Sequence, residues 1–445
     1  MNKEECKNCP LVKRVQELEK LIEELQKRLE KYEKPPKDSS NSSMPPSSDR
    51  KKKYPKREKS GKKSGGQLGH EGTTRMLAEN PDAIVPIYPE ECSHCGCVDF
   101  ELIEKIKERR QEVDIPKIQP FITEYQQKAG RCTHCGKTSL GNFPAKINAT
   151  VQIGERTEAV IGYFHIEHHQ GYDRVQRLLA DLFGLEISEG TVKNKIDNLK
   201  KLLEPEYNNI LENIKNGNVI GSDTTGTRIE GKNGQLWTFQ NDFCTYFKSG
   251  FSKAFKVIKE IFGEKYHGYW VSDRDPTQLK IEASHQLCNA HLKRDCKYSI
   301  EAYKSEWAKD LKEILEDAMH FRKKRGQEFN PLDSEDFKEI QKFKQRLAEI
   351  FQKPPPIEER KLFNGLVGRQ DQILMFLINS EIPYDNNGSE RALRNRVITG
   401  GFRTLNGAIC HDIIASVVET AKKQGRNILD EIISISRKNQ TLLST

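Results

Sequence analysis

Two aspartates in this chain of 445 residues follow short apolar runs of the kind that form buried strands. Asp223 ends the run NVIGSD at residues 218–223, and Asp273 ends GYWVSD at residues 268–273. If these runs are neighbouring strands, the two carboxylates lie side by side. Paired carboxylates can hold two Mg²⁺ ions about 4 Å apart, one activating a water or 3′-hydroxyl and the other steadying a leaving oxygen. Either aspartate alone could equally cap a helix or turn.

A third carboxylate, Glu390, lies in the sequence DNNGSERALRNR at residues 385–396. Asn387 and Glu390 have the spacing of a capping box, so Glu390 could simply close a helix N-terminus. Three arginines crowd the same turn, where cations are unfavourable unless an anion compensates them. A DNA phosphate and metal-bound water would do so. The arginines predicted to contact phosphate are Arg391, Arg394 and Arg396.

The elements that must position these carboxylates are predicted from apolar patterning. The predicted order is three strands, a helix and a fourth strand, at residues 218–223, 234–241, 244–251, 253–262 and 268–273. This order is that of a ribonuclease-H-like mixed sheet, in which the ends of the first and fourth strands lie side by side. The fold class predicted is therefore α/β.

The core is predicted in two parts, at residues 215–303 and 361–445, the second carrying the Glu390 helix and closing C-terminal helices. Residues 304–360 between them are charged and helical in character until three successive prolines at 354–356. This segment predicts a helical insertion that can clamp DNA or a partner subunit.

Two near-identical CxxCG knuckles predict a structural metal site in a zinc ribbon over residues 83–147. Four thiolates suit tetrahedral Zn²⁺, and the glycine after each pair lets the chain turn close to sulfur. Between the knuckles, residues 111–130 alternate as a half-buried strand pair would. Four thiolates leave no open position, so this zinc is predicted to be structural. The ligands are Cys92, Cys95, Cys132 and Cys135.

Heptad spacing predicts a coiled coil over residues 1–34. Apolar residues recur at alternating intervals of four and three, an a/d seam of about three heptads. A surface helix packed on its own protein would look similar, but the stripe is narrow and a proline-serine stretch follows it. A self-associating helix, and hence a homo-oligomer, is predicted. The seam is Leu11, Val15, Leu18, Ile22, Leu25, Leu29 and Tyr32.

A linker over residues 35–80 is dominated by serine, proline, glycine and lysine and is predicted to be disordered. Residues 50–63 contain nine lysines or arginines among fourteen residues. Such a run is often only solvated, but beside DNA it would neutralise phosphates and give salt-sensitive affinity. The predicted contacts are Lys51, Lys52, Lys53, Lys56 and Arg57.

Residues 150–205 predict a helical DNA-binding segment. An apolar helix from residue 172 ends at Gly184, and Ser188 and Thr191 can cap a second helix that carries Lys193 and Lys195. This is the outline of a helix-turn-helix, whose second helix can enter a major groove. A helical hairpin that only packs in the core gives the same pattern.

Composition limits the location and partners of the chain. The net charge of +8 favours a polyanionic partner. No run approaches the roughly twenty apolar residues that span a bilayer, and the N-terminus lacks a signal-peptide core. We therefore expect a cytoplasmic, nucleoid-associated protein without a membrane partner, in which eleven cysteines are metal ligands or buried thiols rather than disulfides.

Over nearly its whole length the chain resembles the insertion-sequence sixty-six family of bacterial transposases. The resemblance implies a DDE transposase in which Asp223, Asp273 and Glu390 bind Mg²⁺ or Mn²⁺, and in which the zinc ribbon and helix-turn-helix contact DNA. It also makes companion proteins of the same element plausible partners. The matching motifs are the N-terminal heptads, NSSMPPSSD at 41–49, GGQLGHEG at 65–72, both knuckles, FGLEISEGTV at 183–192, Asp223-Thr224-Thr225, Leu236-Trp237, Cys288-Asn289-Ala290-His291 with Arg294, and NNGSERALR at 386–394.

The chain departs from the family pattern at two places. Thr224 follows the first aspartate where the family usually has glutamate, and Arg274-Asp275-Pro276 replaces a glycine and an aromatic residue after the second. Asp275 is therefore a rival for the second carboxylate. We prefer Asp273, because the apolar run ends directly before it and Pro276 places Asp275 in a turn, where it can cap the next helix.

Cys288 and His291 have a spacing compatible with half of a zinc site. No partner pair is obvious, although His285 and Cys296 are close in sequence. A packing and hydrogen-bonding role is the prediction that we prefer.

These observations predict a multidomain α/β DNA transposase that hydrolyses phosphodiester bonds at element ends and joins the freed 3′-hydroxyl to target DNA. Double-stranded DNA, as element ends and target, is the expected partner. Two alternatives remain open: a catalytically silent, domesticated DNA-binding protein, and a nuclease that cuts without strand transfer.

Overall fold

The computed structural model describes residues 14–15, 17–25, 35–38, 41–42, 72, 75–103 and 105–443. Residues 14–15 and 17–25 are helical and form α1, on which the seam residues Val15, Leu18, Ile22 and Leu25 are 52, 45, 53 and 51% exposed. A partner helix would cover such a stripe, so self-association stays a prediction. The other seam and linker residues singled out from the sequence lie outside the described residues, namely Leu11, Leu29, Tyr32, Lys51, Lys52, Lys53, Lys56 and Arg57.

The knuckle region has little regular structure. Strands β1 (Ala129–Arg131) and β2 (Thr138–Leu140) form an antiparallel pair around the second knuckle. The strand pair predicted over residues 111–130 is wrong: only the last two of these residues are in a strand, and Phe121 and Ile122 are 95 and 85% exposed. Alternation alone does not make a strand, because a ladder needs a paired neighbour and an apolar face needs a covering layer.

Three helices follow the knuckle region, α2 (Glu155–Ile166), α3 (Tyr172–Phe183) and α4 (Glu189–Lys215). Helix α3 ends at Gly184, whose left-handed φ of 61° suits glycine. Ser188 caps α4 by accepting the Thr191 N–H at 3.1 Å. Both helix ends are as the sequence predicts. Helix α4 packs against α2 and two C-terminal helices, so the second helix of the hairpin is also part of the core.

A six-stranded mixed sheet forms the centre of the fold. Its order is β5-β4-β3-β6-β7, with β8 beside the far end of β3. Strand β4 is antiparallel to β3 and β5, whereas β6 and β8 are parallel to β3 and β7 is parallel to β6. The strands are β3 (Val219–Ile229), β4 (Lys232–Gln240), β5 (Thr245–Gly250), β6 (Lys265–Ser272), β7 (Glu282–Leu287) and β8 (Gly401–Phe402).

The first strand is longer than the sequence predicts. It does not end at Asp223 but continues to Ile229, because the polar run TTGTRI pairs residue by residue with β4. Apolar patterning also missed β7 and β8. Their sequences, EASHQL and GF, carry too little apolar alternation to be recognised without their neighbours in the sheet.

Nine helices of the described chain follow the first sheet strands: α5 (Lys256–Phe262), α6 (Asn289–Tyr303), α7 (Glu306–Arg325), α8 (Ser334–Gln352), α9 (Arg360–Leu366), α10 (Gln370–Ile373), α11 (Asn387–Val397), α12 (Leu405–Lys423) and α13 (Ile428–Leu443). Helices α7 and α8 occupy most of the predicted insertion at 304–360. No helix in the described part of the chain is long and apolar enough to cross a membrane.

The helices pack into two hydrophobic cores. Helices α2, α4, α12 and α13 pack with sheet residues such as Ile220 and Trp270. Helices α6 to α9 pack with Val271 and Leu287, and the insertion joins this second core through Trp307. Neighbouring strand residues point to opposite faces, which is why Trp270 and Val271 enter different cores.

Candidate active site

Strand register places Asp223 beside Asp273. Strands β3 and β6 pair in parallel, with Gly221 opposite Val271. Each aspartate lies two residues after this pair, so both side chains point to the same face of the sheet, the face that Val271 shares with the second core. The sequence predicted this adjacency, although Asp223 lies inside β3 rather than at its end.

Helix α11 brings Glu390 to the same face. Asn386, which precedes the helix, donates its side-chain N–H to the Ser222 carbonyl at 2.8 Å. Ser389 donates to Asn386 Oδ1 at 2.7 Å and accepts from Gln240 Nε2 at 3.1 Å. These buried hydrogen bonds hold the start of α11 against β3 and β4.

The contacts of Glu390 do not form the capping box. Asn386, not Asn387, occupies the N-cap position of α11, and no side chain caps the helix there. Instead Glu390 Oε1 lies 3.6 Å from His291 Nε2 and 3.4 Å from Arg294, and Oε2 lies 3.6 Å from Arg394. The capping alternative is wrong, and Glu390 faces a cluster of cations and the imidazole of His291.

Burial and nearby carboxylates raise the pKa values of Asp223 and Asp273. The pKa of Asp223 is raised to about 7, first by burial, then by the charge of Asp273, with a further contribution from Glu390. Burial also raises the pKa of Asp273, although the Asp275 N–H and His291 oppose the shift. Asp273 and Glu390 therefore both act electrostatically on Asp223, as neighbouring carboxylates of a cation site would.

Asp275 lies in the turn that follows β6. It accepts the Thr277 N–H at 2.7 Å and forms an ion pair with Lys253 at 2.6 Å. Burial opposes ionisation, but Lys253 and Thr277 together hold the pKa of Asp275 below its usual value. Its own N–H donates to Asp273 Oδ1 at 3.0 Å, so Asp275 orients the neighbouring carboxylate.

Cys288 and His291 begin helix α6 next to Glu390. The buried Cys288 thiol accepts the Asn386 N–H at 3.2 Å, which ties α6 to the start of α11. In the described chain, one ligand atom each from Cys288, His291 and Glu390 lie within 4.8 Å of one another, a group that could hold a metal ion. His285 instead hydrogen-bonds the Ile281 carbonyl at 2.9 Å.

The two knuckles have the same local geometry. Gly96 and Gly136 have φ values of 71° and 72°, and their N–H groups bond the carbonyls of Cys92 and Cys132 at 2.8 and 2.9 Å. Backbone N–H groups, of His94 in the first knuckle and of Cys135 in the second, lower the pKa of each leading thiol. Among the described residues the four thiols do not form a cluster, so the zinc site stays a prediction.

The described cations that the sequence predicts to contact DNA differ in their exposure. Arg391 and Arg394 are exposed near the carboxylates, and Lys193 is exposed near the start of α4, 2.5 Å from Asp197. Lys195 is half-buried and forms an ion pair with Glu158 at 3.1 Å.

Arg396 is not on the surface, and its prediction as a phosphate contact is wrong. Its side chain is fully buried between Glu167 and Glu419, at 3.2 and 2.8 Å. Helix α11 places residues 394 and 396 on different faces, a distinction that a count of arginines in the sequence does not make.

Sequence reasoning did not assign the contacts of Arg294, His291 and Lys253. Arg294 and His291 were present in the motifs that carried the family resemblance, which was the available signal. Lys253 gave no signal, because its partner Asp275 becomes a neighbour only once β6 and the preceding loop are folded.

A mixed α/β core with three carboxylates on one face of its sheet is compatible with a nucleic-acid-processing enzyme. The Transposase IS66 family matches residues 150–408, and the chain belongs to this family. A second family, DUF6444, whose function is unknown, matches residues 5–76. No curated protein matches the chain.

Close packing between β3 and α11 provides a test of this geometry. A Cβ added at Gly221 would lie 2.9 Å from Ser389 Oγ and 3.1 Å from Asn386 Oδ1. Gly221→Ala is expected to lower the free energy of unfolding by about 1–3 kcal/mol, measured by denaturant titration. Gly226→Ala is the matched control, since a Cβ there meets nothing within 4 Å. Equal effects of the two substitutions would contradict the packing.

Proposed function

We propose that this protein is a DNA transposase that cleaves the ends of its own element and joins them to target DNA. The observation that carries the proposal is the convergence of Asp223, Asp273 and Glu390 from three elements onto one face of the sheet. The strand order around them supports a ribonuclease-H-like core. Membership of the family supports DNA as the substrate.

The donor set fits divalent cations. Burial and the charges of Asp273 and Glu390 raise the pKa of Asp223, so ionisation of this group places negative charges close together, and Mg²⁺ or Mn²⁺ prefers such oxygen ligands. Asp223, Asp273 and Glu390 would hold the ions, which supply activation of the attacking hydroxyl and neutralisation of charge on the phosphate. This chemistry needs all three carboxylates ionised.

The surrounding residues support the carboxylates and bind DNA. Asp275 orients Asp273 through its N–H, and Arg294 and His291 restrict the position of Glu390. Next to Arg294 lies a cavity of about 380 Å³ whose lining includes Lys293, Lys297 and Lys312. These cations would contact phosphates beside the scissile bond.

The other regions would act in DNA binding and assembly. We assign Zn²⁺ to the four knuckle thiols as a structural ion, DNA contacts to the α3–α4 hairpin through Lys193, and self-association to the heptad seam. Companion proteins of the element would complete the complex, which would act at the nucleoid in the cytoplasm.

The proposal is tested by a cleavage and joining assay on labelled DNA from the flanks of the element. With Mg²⁺ or Mn²⁺ we expect nicked or cut ends and products joined to target DNA, and neither with EDTA. Cut ends without joined molecules would favour the nuclease. Binding without cutting, even with the companion proteins, would favour the silent DNA-binding protein.

Protonation should compete with cation binding. Because the folded pKa of Asp223, about 7, exceeds its ordinary value of 3.8, the folded state binds more protons between these values. Without divalent ions, stability should therefore fall as the pH rises from about 4 to 7, by at most about 4 kcal/mol from this group. Added Mg²⁺ should raise the melting temperature more at pH 8 than at pH 5.5.

The matched variant for this measurement is Asp223→Asn. Asp412 is fully buried and its pKa is also raised to about 7 by burial, so the wild type alone does not isolate Asp223. Asp223→Asn should keep the pH dependence due to Asp412 but lose the part due to Asp223. An unchanged pH slope together with an unchanged Mg²⁺ effect would contradict this assignment.

A further inference from the structure

The start of helix α6 places a thiol and an imidazole next to Glu390. Cys288 is 1% exposed, and the side chain of His291 is 12% exposed. The sequence offers this pair no partner, because the third group, the carboxylate of Glu390, comes from α11, a helix that is distant in the chain. The three side chains together could do chemistry that none of them does alone.

His291 lacks the hydrogen bonds that a buried imidazole usually makes. Its Nδ1 is buried and has no hydrogen-bond partner among the described residues. Its Nε2 lies 3.6 Å from Glu390 Oε1, which is longer than a hydrogen bond between nitrogen and oxygen. A buried polar atom without a partner costs about 1–3 kcal/mol, so packing alone does not account for this imidazole.

The separations of the three groups suit a bound metal ion. One ligand atom each from Cys288, His291 and Glu390 lie within 4.8 Å of one another. In a tetrahedral Zn²⁺ site, bonds of about 2.0–2.3 Å place neighbouring ligand atoms about 3.4–3.7 Å apart. The 3.6 Å between His291 Nε2 and Glu390 Oε1 already has this value. Shifts of at most about 1 Å would bring the thiol to the same separation.

The donor set selects a borderline-soft divalent cation. A thiolate, an imidazole and a carboxylate are Zn²⁺ ligands, whereas Mg²⁺ prefers oxygen ligands alone. The thiolate and the carboxylate carry two negative charges, which balance the charge of the cation, and the thiol proton passes to solvent as the metal binds. Arg394 and Arg294 contact the same carboxylate at 3.6 and 3.4 Å. Ion pairs of this kind are worth about 0–1 kcal/mol and do not compete with metal coordination.

We propose that Cys288, His291 and Glu390 form a site for Zn²⁺, and that Zn²⁺ bound there withdraws Glu390 from Asp223 and Asp273 and inhibits the enzyme. A carboxylate oxygen that ligates Zn²⁺ is no longer available to Mg²⁺, and a second divalent charge nearby repels Mg²⁺. The zinc site relies on its own geometry, and only the inhibition rests on the proposed function.

Zinc content tests the site directly. Full-length protein is dialysed against low-micromolar free Zn²⁺, and the bound zinc is counted. Cys288→Ser and His291→Ala should each hold one ion fewer than wild type. Their affinity for this ion should fall at least about tenfold, since even the outer partners of a metal contribute about 10–100-fold. Cys296→Ser is the matched control, because Cys296 is a buried thiol of the same helix that lies outside the group. Zinc at the knuckles is common to all variants and cancels in the comparison.

Cobalt identifies the thiol as a ligand. Co²⁺ in place of Zn²⁺ absorbs in the near ultraviolet when it binds a thiolate, so Cys288→Ser should lose part of this absorbance and Cys296→Ser should retain all of it. Glu390→Gln should need at least about tenfold more Co²⁺ to develop the same absorbance. Equal zinc content in wild type and Cys288→Ser would overturn the site, as would equal losses in Cys288→Ser and Cys296→Ser or an unchanged Co²⁺ affinity in Glu390→Gln.

Competition between metals tests the inhibition. Zn²⁺ should release Mn²⁺ from the wild-type protein, measured by the paramagnetic resonance of the free ion, and should slow Mg²⁺-dependent cleavage at least about tenfold. Cys288→Ser should need at least about tenfold more Zn²⁺ for either effect. Zinc that binds but neither releases Mn²⁺ nor slows cleavage would overturn the inhibition. If the protein neither binds Mn²⁺ nor cleaves DNA, the proposed function fails, while the zinc content still decides the zinc site.

Discussion

Replacing Asp223, Asp273 or Glu390 with the isosteric amide is expected to reduce cleavage of the element end by about a thousandfold or more. Each substitution removes one charged oxygen ligand, and the ions contribute several kcal/mol of transition-state stabilisation. The fold should survive in the aspartate variants, because an amide at either buried position removes the repulsion that acts on Asp223, and in the Glu390 variant because the amide keeps its volume and an acceptor oxygen. The measurement is the single-turnover cleavage rate of a labelled end at saturating Mg²⁺.

DNA affinity separates this effect from a loss of binding. Removing a negative charge next to Arg294 and Arg394 should leave affinity for a DNA end unchanged or slightly increased, measured by gel shift. An amide variant that binds poorly would indicate misfolding rather than lost catalysis. Full activity in any of the three variants would remove that residue from the proposed metal site.

Asp275→Asn is the matched control in the same turn. Asp275 holds Thr277 and Lys253, and its N–H, which the substitution retains, orients Asp273. We therefore expect at most a roughly tenfold loss of rate, against the thousandfold loss in Asp273→Asn. The reverse order would show that Asp275 is the second carboxylate after all.

The adjacency of Asp223 and Asp273 could be predicted from two short stretches of sequence. Each aspartate follows an apolar run, and a parallel pairing of the two runs brings them together whatever the rest of the chain does. The same holds for the helix ends at Gly184 and Ser188, where single residues satisfy the backbone.

The surroundings of the carboxylates could not be predicted in the same way. His291 and Arg294 meet Glu390 only because α6 and α11, almost a hundred positions apart, pack side by side. Likewise Asn41 meets Glu301, which lies 260 positions further along the chain. A polar residue in a polar segment gives no local sign that it is buried, since its partner lies elsewhere in the chain.

Arg396 shows how a correct local pattern leads to a wrong role. The sequence predicts one role for the three arginines of α11, because they crowd one stretch of the chain. In the structure Arg394 contacts Glu390 and is 71% exposed, whereas Arg396 points into the core. Arg396 is buried because it pairs with the carboxylates of Glu167 and Glu419, which lie outside α11 and cannot be inferred from its sequence.

Arg396→Met is accordingly expected to destabilise the protein by about 3–5 kcal/mol, because it leaves two half-buried carboxylates without their main, fully buried counter-charge. The guanidinium bonds Glu167, Glu419 and the Ile166 carbonyl, linking α11 to α2 and α12. Methionine fills a similar volume, so the loss would reflect charge and hydrogen bonding rather than a cavity. Denaturant unfolding of the full-length chain gives the measurement.

Two further variants define what Arg396 contributes. Arg394→Ala removes an exposed cation of the same helix and should change the free energy of unfolding by no more than about 0.5 kcal/mol. Arg396→Lys keeps the charge but loses the planar pair of donors, so an intermediate loss is expected. Lys422 also binds Glu167 and Glu419, at 2.9 and 3.1 Å. In Arg396→Met it would still neutralise part of the negative charge of these two carboxylates. If Arg396→Met is as stable as Arg394→Ala, this cluster does not hold α11 in place, and the start of the helix must be held by the Asn386 and Ser389 hydrogen bonds instead.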